Sequence, residues 1–209
     1  MRIIVHTTLT RSCAAFAMTV LLAACASKGE APTQYDFGPL PPATVSASTA
    51  ATPLPALVIT EVSGPAMLDT QRMYYRLLYA DAQQSRPYAY NMWSGTPLQL
   101  LTLRMKARVA QAGVKVLSTT DAVAGQAVLR IEVDDFAQNF ATPAQSRASI
   151  SLRASVFRAH RLVDQKTFTR SVPATSADAA GGAHALAGAA DALADDILLW
   201  MAALPLNQD

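Results

Sequence analysis

Cysteine is almost absent from this chain: 209 residues hold two, Cys13 and Cys25, and none follows residue 25. That excludes an internal disulfide framework for everything downstream, and no CxxC spacing exists for a zinc site. Histidine is equally scarce, with His160 and His184 the only two after residue 6, and neither sits in an HxxE or HExxH pattern. Charge is low and nearly balanced, 17 basic against 15 acidic residues. A surface without a basic excess has no electrostatic reason to seek nucleic acid, whose affinity comes from clustered Lys and Arg neutralising phosphates. Long apolar runs are missing too. The one conspicuous run, Cys13 to Leu22, is too short to span a bilayer and has the length of a signal-peptide core.

Arg2, His6 and Arg11 precede that run, and Leu22-Ala23-Ala24-Cys25 closes it. The closing motif resembles the lipobox of bacterial lipoproteins, in which small residues before the cysteine admit a signal peptidase. The resemblance implies cleavage after Ala24 and acylation of the Cys25 thiol. More than one acyl chain makes an anchor stable where one gives only marginal binding. Residue 26 is Ala rather than the aspartate that retains enteric lipoproteins in the inner membrane, which favours the outer membrane. Cleavage also removes Arg2 and Arg11, leaving 15 basic against 15 acidic residues in the mature chain.

Residues 25–55 are rich in Ala, Pro, Ser and Thr, a composition that buries too little apolar surface to fold alone. They read as a lipidated, disordered tether, interrupted by the island Tyr35-Asp36-Phe37-Gly38-Pro39, whose two aromatics suit docking on the domain. The organisation expected is therefore a signal peptide over 1–24, a tether over 25–55 and a domain over 56–209.

Within the domain, Ala56 to Val62 is a β-branched run stopped by Ser63-Gly64-Pro65, a strand and a turn. Met73 to Pro97 then concentrates five of the six tyrosines. Its period is two: Met73, Tyr75, Leu77 and Tyr79 share one face, and after a polar loop Asp81 to Ser85 the alternation resumes at Tyr88, Tyr90 and Met92. A hairpin with Tyr75, Tyr79 and Tyr90 on the core side follows, the tyrosines serving as sheet residues rather than as a ligand platform. Thr96 as N-cap and Pro97 at the first helical position open a helix whose apolar stripe runs from Leu98 to Ala112 and which Gly113 ends. Its basic residues Arg104, Lys106 and Arg108 are expected to face water near the helix C-terminus.

A short strand from Val114 to Leu117 follows, suggesting a crossover with parallel ends. Next come three strands with one wet face, at Ala127 to Phe136, Ser149 to Arg158 and Gln165 to Val172. An alanine-rich helix from Ala179 to Leu204 closes the chain, its stripe of Leu186, Leu193 and Ile197 packing on the core and Trp200 available as an anchor for a subunit contact. Together these elements predict an α+β fold: a mixed, largely antiparallel sheet with two main helices packed on one face.

Catalytic chemistry finds little to work with. Asp134-Asp135 and Asp195-Asp196 are the carboxylate pairs, but adjacent residues point apart on a strand or helix. Gly181-Gly182 precedes a helix without the Lys-Ser/Thr ending or the preceding apolar strand of a phosphate loop. No catalytic residue, metal or cofactor is expected, and the chain reads as a protein other than an enzyme.

The order of segments carries a family resemblance. The lipobox, Tyr35-Asp36-Phe37, the Pro/Ala stretch, Val62 to Asp69 (VSGPAMLD), Arg72 to Arg76 (RMYYR), Tyr90 to Trp93, the Pro97-Leu98 helix start, Leu129 to Phe136 (LRIEVDDF) and the Ala-rich last helix resemble the ABC-type transport auxiliary lipoprotein family, in particular its paraquat-inducible (Pqi) type. The resemblance implies a non-catalytic lipoprotein on the periplasmic face of the outer membrane. Its partners would be an MCE (mammalian cell entry) protein and an inner-membrane ABC transporter moving lipids between membranes, with homo-oligomerisation as a family habit. A periplasmic lipid carrier, a structural or assembly lipoprotein without a transporter, and a hydrolase are the competing classes.

With Cys25 the sole acylation site, Cys25→Ser is expected to leave the fold intact while shifting the protein from the membrane fraction to the soluble periplasm or to an uncleaved precursor. Cell fractionation with metabolic acyl labelling checks this, and label persisting in the variant contradicts the lipobox.

Overall fold

Three long strands, β6 (Ala127–Thr142), β7 (Gln145–Arg158) and β8 (Arg161–Pro173), form an antiparallel meander that carries the molecule. Its inner face is the alternating apolar set read from the sequence: Leu129, Ile131 and Val133 stand opposite Val156, Ala154 and Leu152. All six are buried. Arg130, Glu132 and Arg153 turn to the wet face. The β7–β8 connection is two residues, Ala159 and His160, both at positive φ (48° and 62°), as a tight hairpin turn that matches strand twist requires.

The computed structural model describes residues 31–42, 54–121 and 125–206. Within them the sheet has eight strands, and the first five, β1 (Thr33–Tyr35), β2 (Leu57–Ile59), β3 (Arg72–Leu77), β4 (Asp81–Trp93) and β5 (Val116–Leu117), lie on the far side of β6. One edge of β6 serves two partners in succession. Its first residues pair in parallel with β2, and residues 138–140 pair in parallel with β3. Between the two, the Ser63 carbonyl accepts from the Val133 amide at 2.8 Å, and the chain then leaves the sheet at Gly64. A Cβ there would lie 3.1 Å from the Val133 carbonyl, so glycine permits the close approach. A bulge in β6 between Val133 and Asp135 marks the handover.

β3 turns through Leu78–Ala80 into β4, whose C-terminal end pairs in parallel with β1. The stretch Asp81 to Ser85, expected as a polar loop, is strand. Most of its residues are exposed, so a polar composition with no buried side mimics loop in the sequence. The parallel partner of β5 is β2, so the crossover through the first helix starts from β2 rather than from the hairpin.

Two helices, α1 (Pro97–Gln111) and α2 (Ala179–Ala202), cover the inner face, giving the expected α+β architecture. α1 opens on a complete capping box, Thr96 Oγ1 accepting from the Gln99 amide while the Gln99 side chain accepts from the Thr96 amide. Leu101, Met105 and Val109 of α1 join Leu186, Leu193, Ile197 and Met201 of α2 and the sheet residues in one core. The subunit-anchor role for Trp200 is overturned: its indole N–H donates to Asp164 at 2.8 Å and its ring meets Phe168 edge-on at 5.6 Å, so it is spent inside the domain.

The hairpin tyrosines divide. Tyr75 packs on Tyr88 (ring centroids 4.6 Å) and Phe140 (5.7 Å), and the Tyr88 hydroxyl donates to Gln138. Burial pushes the Tyr88 phenol well above its ordinary pKa, with Tyr75 acting in the same direction. Tyr79 and Tyr90, expected on the core side, are 49% and 63% exposed. Register shifts between Arg72 and Tyr74 and between Tyr75 and Leu77 break the strict alternation, and Tyr79 lies in the turn itself.

Tyr75→Ala is therefore expected to cost about 2–4 kcal/mol, since it opens a hole between two rings. Tyr79→Ala and Tyr90→Ala should stay within about 0.5 kcal/mol of the parent. Urea unfolding of the three variants checks the contrast.

Candidate functional site

The island in the tether is part of the folded unit, which begins at Pro32. β1 aligns Tyr35 with Trp93, and the Ser94 amide donates to the Tyr35 carbonyl at 2.7 Å. Asp36 Oδ1 then accepts from the Gly38 amide at 2.7 Å, a local turn with Gly38 at φ 64°. The turn drives Phe37 inward, where it meets Trp93 edge-on at 5.6 Å and Phe136 at 6.3 Å. Three rings from distant parts of the chain thus close over one end of the core.

Residues 38–42 continue as a strap along α1. Three of the five are prolines, which have no N–H, so the strap presents carbonyl acceptors with few donors of its own. The donors come from α1. Arg104 Nη1 donates to the Gly38 carbonyl at 3.0 Å, and the Gln111 amide donates to the Pro41 carbonyl at 2.8 Å. The same arginines bridge to α2. Arg104 makes a two-pronged contact with Asp191, at 2.7 and 2.8 Å, and Arg108 Nη2 meets Asp195 at 2.7 Å.

Arg104 and Arg108 are 6% and 3% exposed, so the solvated basic face expected from the sequence is wrong for both. Lys106, between them, points elsewhere and pairs with Glu61 at 2.7 Å. The physical reason lies in spacing. Arg104 and Arg108 are one helical turn apart, as are Asp191 and Asp195, so two crossing helices can match them rung for rung. That matched i, i+4 spacing was the signal available in the sequence.

The remaining candidates are dispersed. Asp135 pairs with Arg76 at 2.8 Å. Asp195 goes to Arg108 and Asp196 to Arg170, so the second carboxylate pair is divided between two guanidiniums. Gly181-Gly182 serves packing. A Cβ on Gly182 would lie 1.9 Å from Gln138 Oε1, and one on Gly181 2.2 Å from the Ser176 carbonyl. Gln138 is itself held by donating to Ser146 Oγ and to the Asp178 carbonyl, at 2.8 and 3.0 Å. Asp178 caps α2 through the Gly181 amide, and that bond, with the Ser176 hydroxyl, holds its carboxyl below the usual pKa. His160 occupies the β7–β8 turn. Cys25 lies outside the described residues. Among the described residues no cluster of three or more His, Cys, Asp or Glu side chains could hold a metal ion.

Two hollows flank the strap. A groove of about 550 Å³ is lined by Tyr35, Phe37, Ser94 and His184, an even mixture of polar and apolar groups. An apolar cleft of about 260 Å³ lies between Leu40 on the strap and Leu100 and Leu103 on α1, smaller than the roughly 300–1,000 Å³ of pockets that enclose a drug-sized ligand. A third hollow, about 410 Å³, sits on the wet face of the sheet around Arg130, Glu132 and Arg153. Glu132 and Arg153 pair with each other there, and Arg130 stacks over the Phe157 ring at 4.7 Å.

Residues 35–198 match the family described as ABC-type transport auxiliary lipoprotein component. The fold is also similar to a crystal structure from Xanthomonas campestris, of a protein assigned to family DUF330, with a TM-score of 0.66 and 21% identity over 80% of this chain and 93% of that one. A solved structure of an uncharacterized protein gives a TM-score of 0.64 and 14% identity, covering 82% of this chain and 99% of the other. At these identities the likeness is one of fold. No curated protein matches the chain.

Asp191→Ala leaves the Arg104 guanidinium buried without its carboxylate, and a loss of about 3–5 kcal/mol is expected. The paired replacement Arg104→Met with Asp191→Leu should recover most of that stability, yet free the strap to proteolysis because the donor to Gly38 is gone. Chemical denaturation beside limited proteolysis with mass mapping of residues 36–42 separates the two effects.

Proposed function

This chain belongs to the ABC-type transport auxiliary lipoprotein family, and on that premise we propose that it is a Pqi-type component held on the periplasmic face of the outer membrane through an acylated Cys25. There it docks the far end of a periplasm-spanning MCE protein whose inner-membrane ABC transporter supplies the energy for moving lipid. The observation that carries the reading is the family match, which begins at Tyr35 at the end of β1 and runs through α1 and most of α2 to residue 198. The lipobox at residues 22–25 and Ala26 behind it support the outer-membrane placement.

A holding role also fits the site chemistry. The buried charges Arg104, Arg108, Asp191 and Asp195 neutralise one another and hold backbone together, leaving their donors and acceptors engaged in structure. Such groups fix geometry rather than move protons.

Purified protein lacking residues 1–25 is expected to bind the periplasmic part of the MCE partner directly. Its affinity should change little between low and high salt, because 15 basic and 15 acidic residues leave no charge asymmetry to drive the encounter. Interferometry at two ionic strengths reads this out. No binding at either, with phospholipid co-purifying in the mass spectrum of the isolated domain, would replace docking by the carrier reading.

A further inference from the structure

The register of β1 fixes where the anchor is tied to the domain. Thr33 stands beside Asn91 and Tyr35 beside Trp93, in parallel. At Thr33 the chain thus enters the sheet from the side on which β4 starts at Asp81, the side of the turn that joins β4 to β3. Cys25 lies eight residues before Thr33. Eight residues span at most about 29 Å when fully extended and about 16 Å as a flexible coil. Between Met92 and Asp81, β4 is opposed only by Arg72 to Leu77 of β3, so it bulges and advances about 17 Å along the sheet. A coiled tether therefore leaves the acylated cysteine about level with the β3–β4 turn, and a fully extended one carries it only about 12 Å further. A bilayer that receives those acyl chains lies close to the hairpin.

What the hairpin shows there is suited to a lipid surface. Leu78 and Tyr79 in the turn are 46% and 49% exposed, and Tyr90, on the part of β4 that β1 leaves uncovered, is more exposed still. Tyrosine has an apolar body and a polar tip, the combination enriched at the headgroup level of membranes. β6 runs parallel to β3, so the β6–β7 turn lies at the same end of the sheet, and its residues Ala141, Thr142, Pro143 and Ala144 are exposed and uncharged.

We propose that the β3–β4 turn, with Leu78 and Tyr79, and the adjoining edge of β4 at Tyr90 rest on the surface of the membrane that holds the anchor. The proposal deepens the reading above and rests on acylation of Cys25. Docking at this end leaves the opposite end of the sheet, with the β7–β8 turn, facing away from the bilayer.

The test uses the acylated full mature chain in phospholipid vesicles containing a fraction of headgroup-proximal spin-labelled lipid. No thiol follows Cys25, so Tyr79→Cys, Tyr90→Cys and, at the far edge and far end of the sheet, Leu162→Cys each accept one environment-sensitive fluorophore. Quenching at positions 79 and 90 is expected to exceed that at 162 severalfold. A further chain with about twenty Gly/Ser residues inserted between Ser27 and Lys28 should bring position 79 down towards the level of position 162. Equal quenching at all three positions in acylated protein, or stronger quenching at 162, would overturn the orientation. Quenching at 79 that the insertion leaves unchanged would overturn the short tether as its cause. The mass of the N-terminal peptide is read from the same samples: if it lacks acyl chains, the anchor itself is refuted, a result separate from a failed orientation.

Discussion

Two guanidiniums taken out of water where α1 crosses α2 hold the strap and both helices in one arrangement. Removing an arginine and an aspartate from solvent costs several kcal/mol per ion, and attraction between them offsets that only when geometry is good and the leftover hydrogens find acceptors. Arg104 meets both conditions: two nitrogens face Asp191, and a third reaches the Gly38 carbonyl. A simple leucine pair at the crossing would serve helix packing as well or better. It would not tie down a segment made of proline carbonyls. The buried charge is thus explained by what it holds rather than by net stability.

From that tie follows the placement of everything before it. Once residues 38–42 are pinned on α1 and Phe37 is seated against Trp93, β1 can add its few residues to the edge of β4, a strand too short to persist on its own. The folded unit then starts at Pro32 rather than near residue 56, which leaves six residues, 26–31, between it and Cys25. With Cys25 acylated as proposed, a stretch of that length limits the distance between anchor and domain far more closely than thirty flexible residues would.

Much of this was legible in the sequence, for identifiable reasons. The meander could be read because its inner face is apolar at every second residue and its outer face is not, and α1 because Thr96, Pro97, Gln99 and Gly113 stand at the positions caps require. The docking of Tyr35 and Phe37 was foreshadowed by two aromatics in a linker that otherwise lacks them. Three features resisted. The two-partner edge of β6 depends on a bulge between Val133 and Asp135 that no residue announces. Tyr79 and Tyr90 were assigned inward because an alternation rule carries no knowledge of register shifts. Arg104 and Arg108 were assigned to water because arginine is usually there, and the aspartates that reverse this lie 87 residues away. Local patterns report local faces; pairing across the fold appears only when two patterns of equal spacing are compared.

The division of labour inside the molecule follows the same logic. Apolar periodicity builds a sheet with one covered face, and the polar residues that remain are mostly consumed in fastening: Thr102 to the Val62 amide, Gln138 to Ser146, Asp178 and Tyr88, Arg158 to the Leu206 carbonyl near the chain end. A domain that invests its buried polar groups in fixing where segments lie is suited to the holding role proposed for it. Rigidity is the property that role needs, because whatever is held is held only as firmly as the least constrained contact, and the strap clamp makes residues 38–42 part of the fold.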